Sequence, residues 1–257
     1  MIFFLPVYTL SKRELIRFLR QKSRIAGVIG SPLLFWLLIG SGFGTTFKIP
    51  GVKETEGYLE YFFPGTVLLV VLFTSIFASI STIEDRREGF LQSVLVSPAR
   101  RSSIVLGKIL GITFLATLQG TLFIFLAPFA GITLTMGTFL SSVLTIILVS
   151  FGLASLGFLF AWRLDSTQGF HAIMNLVFVP MWMLSGSLFP TSGASSWIAF
   201  VMQLNPLSYM LDMFRHILYW NNEVRKNDLN NFSTSLLVTH FFAAVMFFFC
   251  VISARKK

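Results

Sequence analysis

Charge is scarce in this chain, and acidic charge most of all: 11 Asp and Glu stand against 20 Lys and Arg in 257 residues. Charged residues make up 12% of the sequence, where a soluble domain carries about 25%. The deficit is concentrated. Tyr61–Ile83, Ile109–Trp162 and Ser166–Leu211 contain no Asp, Glu, Lys or Arg at all, and such stretches cannot form a water-facing surface. With one cysteine, Cys250, a disulfide framework and a Cys-based metal site are excluded. No Ser-His-Asp or His-Glu-x-x-His arrangement is present, so an intramembrane hydrolase is not expected. The single Gly-Lys pair, Gly107-Lys108, is followed by Ile109 and has Ser102 where a phosphate-cradling loop needs its first glycine. The chain therefore has no nucleotide site of its own, and energy must come from another chain or an ion gradient. Met1–Leu5 has no basic residue ahead of it and no small-residue cleavage site follows, so no secretory leader is expected.

What fills the space is hydrocarbon. Hydrophobic residues make up 54% of the chain, 30 of them Phe, and the mean hydropathy is +0.77. A membrane-crossing helix needs about 20 apolar residues. The expected spans are 25–44, 62–83, 104–128, 138–162, 169–189 and 235–253, in a single all-α membrane domain covering 1–257. Pro128, Gly131 and Gly137 divide the longest uncharged run. Gly186, Pro190, Gly193 and Pro206 break the last one, which makes 190–211 a re-entrant or interfacial segment of a kind tolerated only when buried in protein or lining water. Lys and Arg are lopsided. The N-terminus (Lys12, Arg13, Arg17, Arg20, Lys22, Arg24), the 84–108 loop, Arg163 and the tail (Arg255, Lys256, Lys257) hold most of them; Lys48, Lys53, Arg215, Arg225 and Lys226 fall on the other side. This bias predicts both termini in the cytoplasm, with 44–61 and 190–234 outside. It also assigns the basic pI to topology and anionic lipid rather than to nucleic acid.

Two polar segments interrupt the pattern. At 100° per residue Arg13, Arg17, Arg20 and Arg24 share one arc, with Tyr8, Leu15, Phe18 and Leu19 opposite. That suits residues 1–24 as a helix in the headgroup layer, its arginines toward phosphate and water. The alternatives are a plain anchor and an elbow that also touches a cytoplasmic partner. The second segment is Glu84-Asp85-Arg86-Arg87-Glu88-Gly89, followed by Phe90, Leu91, Val94 and Leu95 on one helical face. Ser97-Pro98 reads as the N-cap and first turn of the next helix. A short amphipathic helix suits a groove on another protein; a solvated topological loop is the alternative. Lys108 can snorkel to the surface, Arg163 and Asp165 read as a local pair or a headgroup contact, and His171 and His240 read as hydrogen-bonded packing histidines, with a proton relay as the alternative. No Asp or Glu is expected inside a span, which argues against ion coupling. Gly107-x-x-x-Gly111 and Gly40-x-x-x-Gly44 read either as close helix contacts or as hinges. Trp162, Trp197, Trp220, Tyr58, Tyr61 and Tyr219 read as interface anchors.

Taken in order, Glu84–Gly89, Leu95-Val96-Ser97-Pro98 and Gly107-Lys108 resemble the cytoplasmic loop of type-2 ABC transporter permeases. Pro180–Pro190 is similar to that family's fifth span, and Leu204-Asn205-Pro206-Leu207-Ser208-Tyr209 to the element after it. The closest flavour is the branch exporting drugs, nodulation factors and polysaccharides. The resemblance implies a half-transporter membrane subunit, paired with a second copy and with two separate ATP-binding subunits that hold the ATP and Mg. It implies that Glu84, Arg86, Arg87, Glu88, Gly89, Leu91, Leu95 and Pro98 couple to the ATPase. It further implies that Pro190, Asn205, Pro206 and Tyr209 help close the outer exit, and that the cargo is exported. An ion-driven transporter is the alternative.

Overall fold

The computed structural model describes residues 3–43, 57–220 and 230–255. These residues form helices and turns, with no strand among them. The elements in order are α1 (Phe4–Arg20), α2 (Lys22–Phe43), α3 (Tyr58–Arg87), α4 (Phe90–Leu95), α5 (Arg101–Ile124), α6 (Met136–Arg163), α7 (Thr167–Ser187), α8 (Ser196–Leu204), α9 (Pro206–Leu218) and α10 (Phe232–Arg255). Six of them, α2, α3, α5, α6, α7 and α10, are long and apolar enough to cross a membrane. Each coincides with an expected span to within a few residues, and α3, α6 and α10 run past it into charged or polar ends.

The centre of the bundle is α3, packed by α2, α5 and α6. Phe62, Phe63, Val70 and Ile83 on it are wholly buried. Small residues set the close approaches. A Cβ on Gly157 would lie 2.6 Å from the Ser79 hydroxyl, and one on Gly65 2.6 Å from Ser187 Cβ. Pro64 sits inside α3 and has no N–H to give the carbonyl of Glu60. The Tyr219 hydroxyl donates to that carbonyl instead, at 2.9 Å, so α9 is fastened to the break.

The turn after α5 is a short 3-10 helix, Ala127–Ala130, ended by Gly131 at φ +83°. Thr135 and Thr138 then cap α6 reciprocally. The α7 helix is irregular: it holds π-turns at Met174–Phe178 and Met183–Ser187, and Gly186 has φ +89°. The two helices after it, 9 and 13 residues long, are each too short at 1.5 Å per residue for a core of about 30 Å.

Three sequence expectations change here. Trp162 is core, not an interface anchor: it is buried, stacks on Phe158 at 5.4 Å and donates to Ser253 O at 3.2 Å. Tyr58 and Tyr219 are buried too, while Trp197 and Trp220 are exposed. The helix expected to start at Ser97-Pro98 starts at Arg101, and the Ser97 hydroxyl bonds back to Val94 O at 2.6 Å, closing α4. Gly107 and Gly111 form a close helix contact, but with α1 rather than with another span: a Cβ on Gly111 would meet Glu14 Cβ at 2.8 Å. Gly44 lies outside the described residues.

Candidate functional site

At the end of α3 the charged segment turns inward. Asp85 is fully buried and accepts from both nitrogens of Arg13 (2.9 and 2.7 Å), from Arg17 (2.6 Å) and from Lys108 (2.5 Å). Lys108, also fully buried, donates to Glu14 at 2.8 Å, and Ser81 donates to the second oxygen of Glu14 at 2.6 Å. Arg17 reaches Glu84 at 2.9 Å and Glu88 at 3.3 Å. Three helices, α1, α3 and α5, thus share one ion network. Buried charge is tolerable only with such complete pairing. Burial works against the Arg13 charge, but its bonds to Asp85 outweigh this and hold its pKa above the usual arginine value.

The next residue ties in a fourth helix. Arg86 donates to Asp165 at 2.8 Å, to Leu164 O at 3.1 Å and to the Trp162 carbonyl. These are the last carbonyls of α6 and the turn beyond it, where unpaired C=O groups and the helix dipole favour a cation. Arg87 adds a bond from Nε to Asp165 O at 3.1 Å. Asp165 therefore pairs with Arg86, not with Arg163; Arg163 donates to the Ser253 hydroxyl at 3.3 Å.

Gly89, at φ +77°, turns the chain into α4. A Cβ there would meet nothing within 4 Å, so glycine is needed for the backbone angle and not for a close approach. The apolar face of α4 packs on its own bundle. Leu91 is buried in a cluster with Phe18, Val105, Ile109 and Phe158, Leu95 lies against it, and the Arg13 guanidinium sits 3.7 Å over the Phe90 ring. Leu91 is thus a core residue of this chain, contrary to its expected place in a partner's groove. What α4 leaves bare is the other side: Arg87, Glu88, Gln92, Ser93, Val96 and Pro98, with Val96 87% exposed.

Several sequence expectations shift in consequence. Arg13 and Arg17 face the loop rather than water. Arg20 is exposed, and the Arg24 side chain lies outside the described residues. Lys108 does not snorkel. Asp85 and Glu14 are carboxylates buried inside the fold, both outside the expected spans: Asp85 lies just past 62–83 and Glu14 lies in the N-terminal helix. Asp85, Glu14 and Lys108 escaped as a unit because they lie far apart in sequence. The available signal was Lys108, which interrupts an otherwise apolar helical face; Asp85 stands within a charged run.

At the opposite end, α8 and α9 stitch the broken α7 to α3. Asn205 caps α9 by accepting from Leu207 N at 3.0 Å and donates to Met181 O at 2.6 Å. Pro206 occupies the first turn, and the Tyr209 hydroxyl donates to Gln203 O at 2.8 Å. Pro190 is extended and leads into a 3-10 turn, Thr191–Gly193. The kink carbonyl of Gly186 accepts from Tyr61 at 2.8 Å and from Arg215 at 2.9 Å, and Tyr58 donates to Leu188 O at 2.8 Å. Arg215, counted above as a loop charge, is buried beneath the Tyr61 ring at 4.4 Å. Nearby, burial raises the Asp212 pKa against the pull of Arg215. The histidines make packing contacts: His171 lies 5.9 Å from Phe77, and His240 Nδ1 is 2.9 Å from Leu236 O.

Sequence comparisons identify the family. The family profile described as ABC-2 type transporter matches residues 6–219. A protein named transport permease ycf38 in Cyanophora paradoxa is 27% identical over 94% of this chain and 81% of its own length. Nodulation protein J of Rhizobium leguminosarum bv. trifolii is 25% identical over 77% of this chain and 76% of its own. A protein named multidrug ABC transporter permease YbhR in Escherichia coli (strain K12) is 28% identical over 62% of this chain and 44% of its own.

Proposed function

Because this chain belongs to the ABC-2 type transporter family, and so is a membrane subunit of an ABC transporter, we propose that it works as the permease of an ATP-driven exporter. Its cargo is an amphipathic, lipid-linked or drug-like molecule. Two copies form the path, and ATP and Mg bind in two separate ATPase subunits docked below, in the cytoplasm. The names of the multidrug and nodulation relatives support the cargo class.

The observation that carries this reading is the junction at Asp85 and Arg86. Adjacent residues at the root of α4 grip α1 and α5 through one side chain and α6 through the other. A push on the bare face of α4, at Gln92, Ser93 and Val96, reaches four helices at once. A loop that only set topology would need none of these bonds. At the other end, Asn205, Tyr61 and Arg215 hold the broken α7 to its neighbours, so that α8 and α9 act as an outer closure that moves with α7.

The test is purification of the tagged permease from its own membranes, followed by transport in inverted vesicles. An ATPase should co-purify, and ATP-dependent uptake should persist after a protonophore collapses the proton gradient. Uptake that stops with the gradient and needs no ATP would establish the ion-driven alternative instead.

A further inference from the structure

We propose that Asp212, His216 and Asn230 form a latch between α9 and α10 that tightens as the pH at that end of the bundle falls. Asp212 and His216 stand one turn apart on α9 and grip a single residue in the chain leading into α10. Asn230 donates to Asp212 Oδ2 from its backbone N–H at 3.3 Å and from Nδ2 at 2.7 Å. Its carbonyl oxygen lies 2.6 Å from His216 Nε2. A carbonyl only accepts, so Nε2 carries the hydrogen, as it does in charged imidazole and in one neutral tautomer. The same ring meets Phe232, the first residue of α10, edge-on at 5.9 Å. The N–H, the side-chain amide and the carbonyl of Asn230 are thus all committed to α9.

The proton sensitivity follows from what Asp212 lacks. It is 8% exposed, yet no Lys, Arg or His lies within ion-pair distance of it among the described residues. Burial without a paired cation disfavours the charged carboxylate. The charges that act on it belong to Arg215 and His216, both on α9. Arg215 is turned away, donating to the carbonyls of Gly186 and Tyr61 beneath the Tyr61 ring. Residues 136–162 of α6, 174–187 of α7 and 196–204 of α8 carry no titratable side chain; α3 brings Tyr58, Glu60 and Tyr61 to this end, and α10 brings His240. Burial prevails over Arg215 and holds the Asp212 pKa above the ordinary carboxylate value. The other carboxyl oxygen, Oδ1, makes no hydrogen bond and is not sealed from water. A proton can therefore add at Oδ1 while Oδ2 keeps both bonds from Asn230. The latched carboxyl holds its proton more tightly than a released, solvated one. Latching is then favoured at low pH and loses that advantage as the pH rises through the latched value. The latch ties α10 to the outer closure described above, but its existence does not depend on that reading or on ATP coupling.

The experiment is hydrogen exchange of the purified permease, read by mass spectrometry on peptides covering 230–236 between about pH 5 and pH 8, each rate corrected against the same peptide unfolded. Protection should rise as the pH falls, by up to about tenfold per pH unit, the limit for one proton. D212N cannot ionise at this position and should show protection that does not change with pH. D212A should show low protection at every pH. Asn230→Ala, at an exposed position outside the helices, serves if the Asp212 variants do not fold; it should lower protection and flatten its pH dependence while exchange in α3 stays as in the wild type. Wild-type protection that is the same across the range, or an Asn230→Ala protein that behaves as wild type, would overturn the proposal. A pH dependence that survives in D212N and disappears in H216Q would overturn it in favour of His216 as the group that takes the proton.

Discussion

Asp85 is the residue on which the charged end of the bundle depends. Its two oxygens serve three cations from two other helices, so Asp85→Asn leaves Lys108 and two arginines short of a counter-charge. Breaking a buried pair by removing one partner costs about 3–5 kcal/mol. The expected result is a large fall in melting temperature in mild detergent. Glu14→Gln with Lys108→Met removes one charge of each sign, so the double variant should melt well above Lys108→Met alone. Equal melting of the two would mean that Glu14 and Lys108 are not energetically coupled. At Gly89 the requirement is conformational: Gly89→Ala should cost about 1–2 kcal/mol, the strain of a left-handed non-glycine residue, with no steric penalty because the surrounding space is open.

At the scale of elements, α4 has two faces with different duties. Leu91→Asp would bury a carboxylate among Phe18, Val105 and Phe158, so it should damage the permease itself, seen as loss of folded protein in size-exclusion chromatography. Val96→Asp, on the bare face, should leave melting unchanged and abolish co-purification of the ATPase. If Val96→Asp still binds the ATPase normally while Leu91→Asp folds well, the assignment of the faces is reversed. The α1–α5 crossing is a second element-level test. Gly111→Leu places side-chain atoms where Glu14 Cβ and the Ser11 carbonyl already sit, and should push α1 away, raising its protease sensitivity relative to Gly137→Leu, which lies at the start of α6 and meets only the Thr135 hydroxyl at 3.9 Å.

For the whole molecule, the distribution of Lys and Arg predicts α1, the α3–α5 loop and the α10 end on one side of the membrane, with α8 on the other. Single cysteines at Ser93 and at Ser196, in a Cys250→Ala background, should react with an impermeant maleimide from opposite faces. Labelling of both from one side would overturn the six-span arrangement. The six crossing helices were legible in advance because hydrocarbon enforces length and apolarity along contiguous sequence. The segment 190–211 was legible as irregular from its Pro and Gly, and its division into α8 and α9 at Asn205 follows from the cap and the proline after it. The candidate site was only half legible. Arg86, Glu84 and Glu88 stood out as a cluster in one loop, whereas their partners Arg17 and Asp165, and the Asp85–Lys108–Glu14 core, lie up to a hundred residues apart.

The sequence alone determined which stretches are apolar and long enough to leave water and which polar segments separate them. Those outcomes depend on local composition, summed over a turn or a span. Tertiary structure decided which way the polar residues point. Leu91 has the periodicity of a docking face and Arg13 that of a solvated one, but periodicity names a face without naming what covers it. The positions of α1 against α5, and of α6 beside the loop, supplied that cover from within the chain. A buried cation then needed a carboxylate at hydrogen-bond distance, and only the folded arrangement could bring Asp85, Lys108 and Glu14 to the same place.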